Sequence, residues 1–242
     1  MHILILSDIH ANLAALEAVL AHAGQYDVLW LLGDIVGYGP DPNACIECLA
    51  AREHVAIAGN HDWAVLGKVD LAEFNGDARQ ANLWTQEQLT PSSLAYLEAL
   101  PEMRVRDGFT LAHGSPRAPI WEYLIYSNVA KASFAHLTTP ICLVGHTHLP
   151  VIFRDVPGTP QCQAVHPPED TPLILDDEHY IINPGSVGQP RDGDARAAYA
   201  VLDTETHTII YRRVAYDIAE TQQKMRAVGL PRRNIERLSV GW

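Results

Sequence analysis

Carboxylates, imidazoles and one carboxamide stand together at five points of this sequence: Asp8-Ile9-His10, Gly33-Asp34, Gly59-Asn60-His61-Asp62, His113-Gly114 and Gly145-His146-Thr147-His148. Mixed oxygen and imidazole donors suit Mn, Fe, Zn or a related divalent ion, whereas all-oxygen sets suit Mg or Ca and thiolates suit softer metals. The candidates Asp8, His10, Asp34, Asn60, His61, His113, His146 and His148 are too many for one ion, and two divalent metal ions fit the number. Two ions ~3.5–4 Å apart clamp the attacking and leaving oxygens of an in-line displacement. A bridging carboxylate would hold them at that separation, and Asp34 is well placed for it.

Each of these points ends a short apolar run. Ile3 to Leu6, Val28 to Leu32, Val55 to Ala58, Phe109 to Ala112 and Ile141 to Val144 read as strands buried on both faces. The chemistry therefore falls at the carboxyl edge of a sheet, where α/β folds bind ligands. Helical spacing separates the early strands, with Asn12 as a cap before Leu13 to Leu20 and a second helix over about Asn43 to Arg52. That alternation predicts a largely parallel sheet. Beyond Pro150, Val151 to Arg154, Tyr180 to Asn183, Ala197 to Leu202 and Thr208 to Val214 are strand-like and separated by turn residues. They predict a second, more antiparallel sheet packed on the first.

Between the third and fourth strands, residues 63–100 read as a helical cover, with Thr90 capping a helix that opens on Pro91. Ser127 is expected to cap a helix to about Leu137, and Val156 to Asp170 to be a Pro-rich surface loop. Asp217 to Val228 reads as a helix stopped by Gly229, followed by a tail to Trp242. The whole, residues 1–242, is expected to form one domain, α/β in class.

Twenty-nine acidic residues against seventeen basic ones give a net charge of −12. That disfavours an extended nucleic-acid surface or docking on an anionic membrane. It leaves small phosphoesters open, because bound cations reverse the local field. Neither a signal peptide nor a membrane-length apolar run is visible, and a cytoplasmic location is expected. Cys45 and Cys48 fall inside a helix without a second pair to complete a zinc site, and a buried structural role is expected for them.

The five blocks, in their order, resemble those of the calcineurin-like metallophosphoesterase superfamily. Asn183-Pro184-Gly185-Ser186-Val187-Gly188 is similar to a segment of its small bacterial phosphodiesterase-like branch, so the likeness covers most of the chain. The resemblance implies a four-layer sandwich in which two mixed sheets are flanked by helices. It implies that Asp8, His10, Asp34 and His148 hold one metal, and Asp34, Asn60, His113 and His146 the other. A metal-bridging water or hydroxide would attack phosphorus, and His61, not a ligand, would assist the leaving oxygen. For Asp62 two roles stay open: support of the site, or a charge at a helix N-terminus.

The sequence also departs from relatives. Where phosphoprotein phosphatases continue into Asp-Arg-Gly, this chain has Gly37-Tyr38-Gly39, so the phosphate-gripping arginine and the carboxylate that orients the catalytic histidine are both missing. That favours small or nucleotide-type phosphodiesters over phosphoproteins and over symmetric dinucleoside tetraphosphates. Ala11 replaces a usual Gly, which is tolerable if its φ is negative. Tyr38, Arg191, Arg117 and Trp121 are the candidates for substrate contact, the last two in the Pro-rich block Ser115 to Tyr123. The alternatives are a phosphomonoesterase or phosphoprotein phosphatase, or a catalytically weak scaffold of the same fold.

Overall fold

A computed structural model describes residues 1–242. The chain forms two six-stranded sheets laid face to face and flanked by helices. The first sheet takes β1 (His2–Leu6), β2 (Val28–Leu31), β3 (His54–Ala56), β9 (Leu173–Ile174), β11 (Ala197–Asp203) and β12 (Thr208–Val214), in the order β3-β2-β1-β11-β12-β9. The second takes β4 (Met103–Arg106), β5 (Phe109–Ala112), β6 (Ile141–Leu143), β7 (Val151–Arg154), β8 (Gln163–Val165) and β10 (Tyr180–Asn183), in the order β4-β5-β6-β10-β7-β8. Both sheets are mixed. β1, β2 and β3 run parallel, as do β5, β6 and β10, and the remaining pairings are antiparallel.

This division corrects the expectation of one parallel and one later, antiparallel sheet. The late strands are shared out: β11 pairs with β1, and β10 inserts between β6 and β7. A short edge strand, β8, occurs within the Pro-rich stretch expected to be a loop, and the exposed edge strand β4 went unread in the sequence. β4 and β5 turn through Asp107 and Gly108, both with positive φ.

Alternation decides what each face touches. Ile3, Ile5, Trp30 and Leu32 point between the sheets to meet Phe109, Leu111, Leu143 and Ile182. The Trp30 ring meets Phe109 edge-on at 5.3 Å between centroids, joining the layers. Removing a buried indole of this kind costs about 3–5 kcal/mol. Leu4, Leu6, Leu29 and Leu31 point the other way, onto α1 (Leu13–Ala23), α2 (Pro42–Ala50) and α5 (Pro91–Glu98). The outer face of the second sheet is covered by α6 (Ser127–Phe134), through Ala130 and Phe134. Ser127 is the first helical residue rather than the cap, which is Tyr126.

α3 (Asn60–Val65) leads directly from β3, and α4 (Gly76–Gln88) follows. A separate cluster joins α4 to α7 (Ile218–Ala227) and α8 (Arg232–Arg237) and includes Tyr38. The cover and the tail thus meet each other beside the strand ends. Asn12 and Thr90 cap α1 and α5 through their side chains, as the sequence predicts, and Asp217, read from the sequence as the first residue of its helix, is instead the cap of α7. No helix is long and apolar enough to cross a membrane.

Candidate metal centre

The parallel strands of both sheets deliver their terminal residues to one buried place. Asp8 and His10 follow β1, Asp34 follows β2, and Asn60 and His61 open α3. His113 follows β5, and His146 and His148 follow β6. All eight side chains are buried. Three groups have ligand atoms within 4.8 Å of one another: Asp8, His10 and His148; His10, Asp34 and His61; and Asp34, His113 and His146. Asn60 joins the last group, its Oδ1 lying 3.1 Å from His113 Nε2.

The backbone that brings them together is bent against its preferences. Asp8, His10, Asp34, His146 and His148 all have φ between 49° and 66°, in the left-handed region. Non-glycine residues seldom sit there. Ala11 does so too, at φ 50°, so its replacement of glycine is accommodated at a cost and not by a negative φ. Main-chain donors fix the carboxylates. Asp34 Oδ1 accepts from His61 N at 2.8 Å, and Asp8 accepts from His146 N and from Ser7 Oγ at 2.6 Å. Gly59 is needed beside Asp34, because a Cβ there would overlap the carboxylate. Asp62 fills both roles left open for it. It accepts from Gly59 N at 2.9 Å, capping α3, and from Ile35 N and Val36 N at 2.9 and 3.1 Å, holding the loop after Asp34.

Hydrogen bonds also choose the tautomers. The Nδ1 atoms of His10, His113 and His148 face the carbonyls of Val36, Leu32 and Gln189 at 3.1, 2.7 and 2.6 Å. A carbonyl only accepts, so these Nδ1 atoms carry protons, and the Nε2 atoms face the cluster. His146 is reversed: its Nε2 donates to the Trp121 carbonyl at 3.2 Å, leaving Nδ1 free. The segment singled out at Asn183 to Gly188 props the rim. Asn183 Nδ2 donates to Gly145 O at 2.6 Å, and Ser186 Oγ donates to Asp8 O at 2.8 Å.

Burial pushes His10, His61, His146 and His148 below the usual imidazole range, so they are neutral at pH 7. Burial alone would raise the carboxyls of Asp8 and Asp34. The nearby imidazoles, His148 beside Asp8 and His113 beside Asp34, outweigh it and hold both well below the usual carboxylate range. For His113 burial acts downward, but Asp34 wins and raises it to about 9.

The donor set itself fits divalent cations. The bare Nε2 atoms of His10 and His148 face each other at 3.1 Å, with Asp8 Oδ1 3.8 and 3.2 Å away. Neutral imidazoles place no proton between them, so the crowded lone pairs call for a cation. Nitrogen and oxygen donors in this mixture match Mn, Fe or Zn.

Tyr38 lies against the cluster, its ring centroid 4.6 Å from His10 and 4.4 Å from His61, and its hydroxyl meets Arg191. Arg117 is engaged by Glu122. Trp121 contributes its carbonyl to His146, and its ring packs on Phe74. Two further neighbours are Tyr123, the end of the Pro-rich block, and Asn82, which escaped the sequence. Tyr123 stacks on His146 at 3.8 Å, and Asn82 of α4 places Oδ1 2.9 Å from His61 Nδ1. Asn82 occupies the orienting role for which no carboxylate was found. The helical spacing of α4 gave the only signal for it, a polar residue on a face that otherwise packs Ala78 and Ala81.

Residues 1–207 match a family profile described as a calcineurin-like phosphoesterase superfamily domain. An uncharacterized protein of Methanocaldococcus jannaschii is 37% identical over 99% of this chain and 98% of its own length. A crystal structure of a metallophosphoesterase from Sphaerobacter thermophilus superposes with a TM-score of 0.92, at 46% identity, covering 100% of this chain and 99% of that one. A hypothetical protein from Pyrococcus horikoshii shares the fold, with a TM-score of 0.81 at 21% identity over 100% and 98% of the two chains.

Proposed function

We propose that this chain, which belongs to the calcineurin-like phosphoesterase superfamily, is a metal-dependent phosphodiesterase acting on small or nucleotide-type phosphodiesters. The observation that carries this reading is the position of Asp34. Its Oδ2 lies 3.2 Å from His113 Nε2 and 3.7 Å from His10 Nε2, so one carboxylate is common to two groups of donors. Asp8, His10, Asp34 and His148 would hold one divalent ion, and Asp34, Asn60, His113 and His146 a second. When bound, such ions supply Lewis acidity toward phosphoryl oxygens and bring the pKa of water near 7.

The chain's own groups do the rest. Arg191, hydrogen-bonded to Tyr38, presents positive charge to the side of the cluster formed by His10, His61 and His148. It stands in for the missing arginine by binding a non-bridging phosphoryl oxygen. His61 serves the leaving oxygen from Nε2. The Asn82 amide can present either end to His61 Nδ1, and its Nδ2 has no other partner. With that NH2 turned to Nδ1, the imidazole proton resides on Nε2, where the leaving oxygen can take it. A single cationic grip suits a diester, which carries one charge fewer than a monoester. The four cysteines are free thiols, which supports a reducing, cytoplasmic setting.

Hydrolysis of bis(p-nitrophenyl) phosphate and of p-nitrophenyl phosphate, each with added manganese, tests the reading. The diester should be cleaved faster. Faster monoester cleavage overturns the diesterase assignment, and no turnover by protein carrying two ions per chain favours a non-catalytic scaffold.

A further inference from the structure

Beside the metal centre lies a pocket of about 200 Å³, lined by Tyr38, Tyr123, Arg191, Arg233, Arg237 and, on one side, Asn75, Asp77 and Asn234. Tyr38 and Tyr123 are the same rings that pack on His10, His61 and His146, so the pocket and the cluster share a wall. Arg191 follows the rim segment, whereas Arg233 and Arg237 come from α8, which reaches the rim by packing through Ile235 with Tyr38 and α4.

The polar groups of this pocket are under-satisfied. None of the three guanidinium groups is ion-paired to an Asp or Glu side chain, although the chain carries twelve more acidic than basic side chains. Arg191 Nη2 and Arg237 Nη1 share one neutral acceptor, Gln189 Oε1, at 3.1 Å each. Arg237 Nε donates to the main-chain oxygen of Trp242. Arg191 Nε is buried without a partner, and so is Nε2 of Gln189, a side chain with 1% exposure. Two buried donors and two neighbouring cations around a neutral oxygen are costly unless an anion completes them. Asp77 offsets one of the three charges, leaving the pocket positive. Burial and the Arg191 charge together depress Arg237 to about 10, a repulsion that a bound anion would relieve.

We propose that the pocket bounded by Tyr38, Arg191, Arg233 and Arg237 binds a second phosphate of the substrate, one that is not cleaved. This inference rests on the phosphodiesterase reading above and narrows it to diesters that bear a further compact anionic group. At about 200 Å³ the pocket is below the ~300–1,000 Å³ of sites for drug-sized ligands, and its three guanidinium groups suit a compact anion such as a phosphate. Arg191 faces both phosphates, and Arg233 and Arg237 face the outer one.

Two measurements on the metal-loaded protein decide it. Thymidine 5′-(p-nitrophenyl phosphate) is compared as substrate with the same compound carrying a 3′-phosphate. The phosphorylated compound should have a kcat/KM higher by about ten- to hundredfold, the range for charge-assisted hydrogen bonds. In Arg233→Ala that ratio should fall toward one. Arg232→Ala, which removes a neighbouring guanidinium paired with Glu236, should leave the ratio unchanged. Calorimetric titration with inorganic phosphate should show one phosphate fewer per chain in Arg233→Ala than in the parent protein. A ratio that Arg233→Ala does not move, or an unchanged phosphate stoichiometry, overturns the proposal. If neither compound is hydrolysed, the diesterase reading fails, while the titration still decides the pocket.

Discussion

At their amino ends β1, β2 and β3 open onto a wide concavity of about 880 Å³, lined among others by His2, Glu17, Asp27, Arg52 and Glu53. At their carboxyl ends the same strands deliver Asp8, Asp34 and Asn60 into a buried cluster. Both ends hold titratable groups. At the wide end they are exposed, and no three of them converge as metal donors do. The backbone differs as well. Among the residues lining the wide end only Gly24 has a positive φ, whereas five donors at the other end adopt it. Left-handed φ costs an L-residue about 1–2 kcal/mol, so five in one place persist only where surrounding contacts impose them. Convergence and strain mark the site; open volume does not.

The contrast is most directly broken at Asp34. Asp34→Asn should remove at least one metal ion per chain and bring turnover to background, read by elemental analysis and by diester hydrolysis. Full retention of two ions would refute its shared role. His61→Ala should lower kcat by ~10²–10⁴-fold while metal content stays at the parent level. Loss of metal instead would make His61 a ligand. Asn82→Ala should lower kcat by about tenfold, one hydrogen bond's worth, with KM and metal content little changed. An unaltered kcat would end its role in orienting His61.

Smaller effects sharpen the same contrast. Ala11→Gly relieves a left-handed alanine on the strained rim and should stabilise the fold by about 1 kcal/mol in urea unfolding. A loss of the same size would show that Ala11 is not strained. At the wide end, Glu53→Gln should alter both stability and activity least, within ~0.5 kcal/mol, since its side chain is exposed and makes no hydrogen bond there. A large effect on activity from Glu53→Gln would place function at that end too.

The convergence of the candidate donors was legible because their signal is local: a buried strand ends, and a carboxylate or imidazole follows within a few residues. Asp8, His10, Asp34, Asn60, His61, His113, His146 and His148 needed no knowledge of which strand pairs with which. The partition of strands did need it. Nothing in Ala197 to Leu202 says that it pairs with β1, and nothing in Tyr180 to Asn183 says that it fits between β6 and β7. The condition set for Ala11, a negative φ, is not met, and the sequence could not show this because Ala11 N bonds to Ile35 O, a contact between loops. Asn82, Arg233 and Arg237 went unread for a related reason. They lie on helices of the cover and the tail, and only the packing of α4 against α8 aims them at the rim. The Asp107-Gly108 pair was a hairpin signal present in the sequence and passed over.

The strand order has a consequence for how the protein is made. Every proposed metal donor has been added to the chain once residue 148 is synthesised, yet β1 still lacks β11 on one side and β6 still lacks β10. His2 must wait to meet Asp203, a pairing across nearly the whole chain. Such distant contacts slow folding. A nascent chain therefore contains all the proposed donors well before it can gather them, and a cation bound during translation would meet loose donors instead of a cage. Closure of both sheets, late in the life of the new polypeptide, is the event that creates the centre.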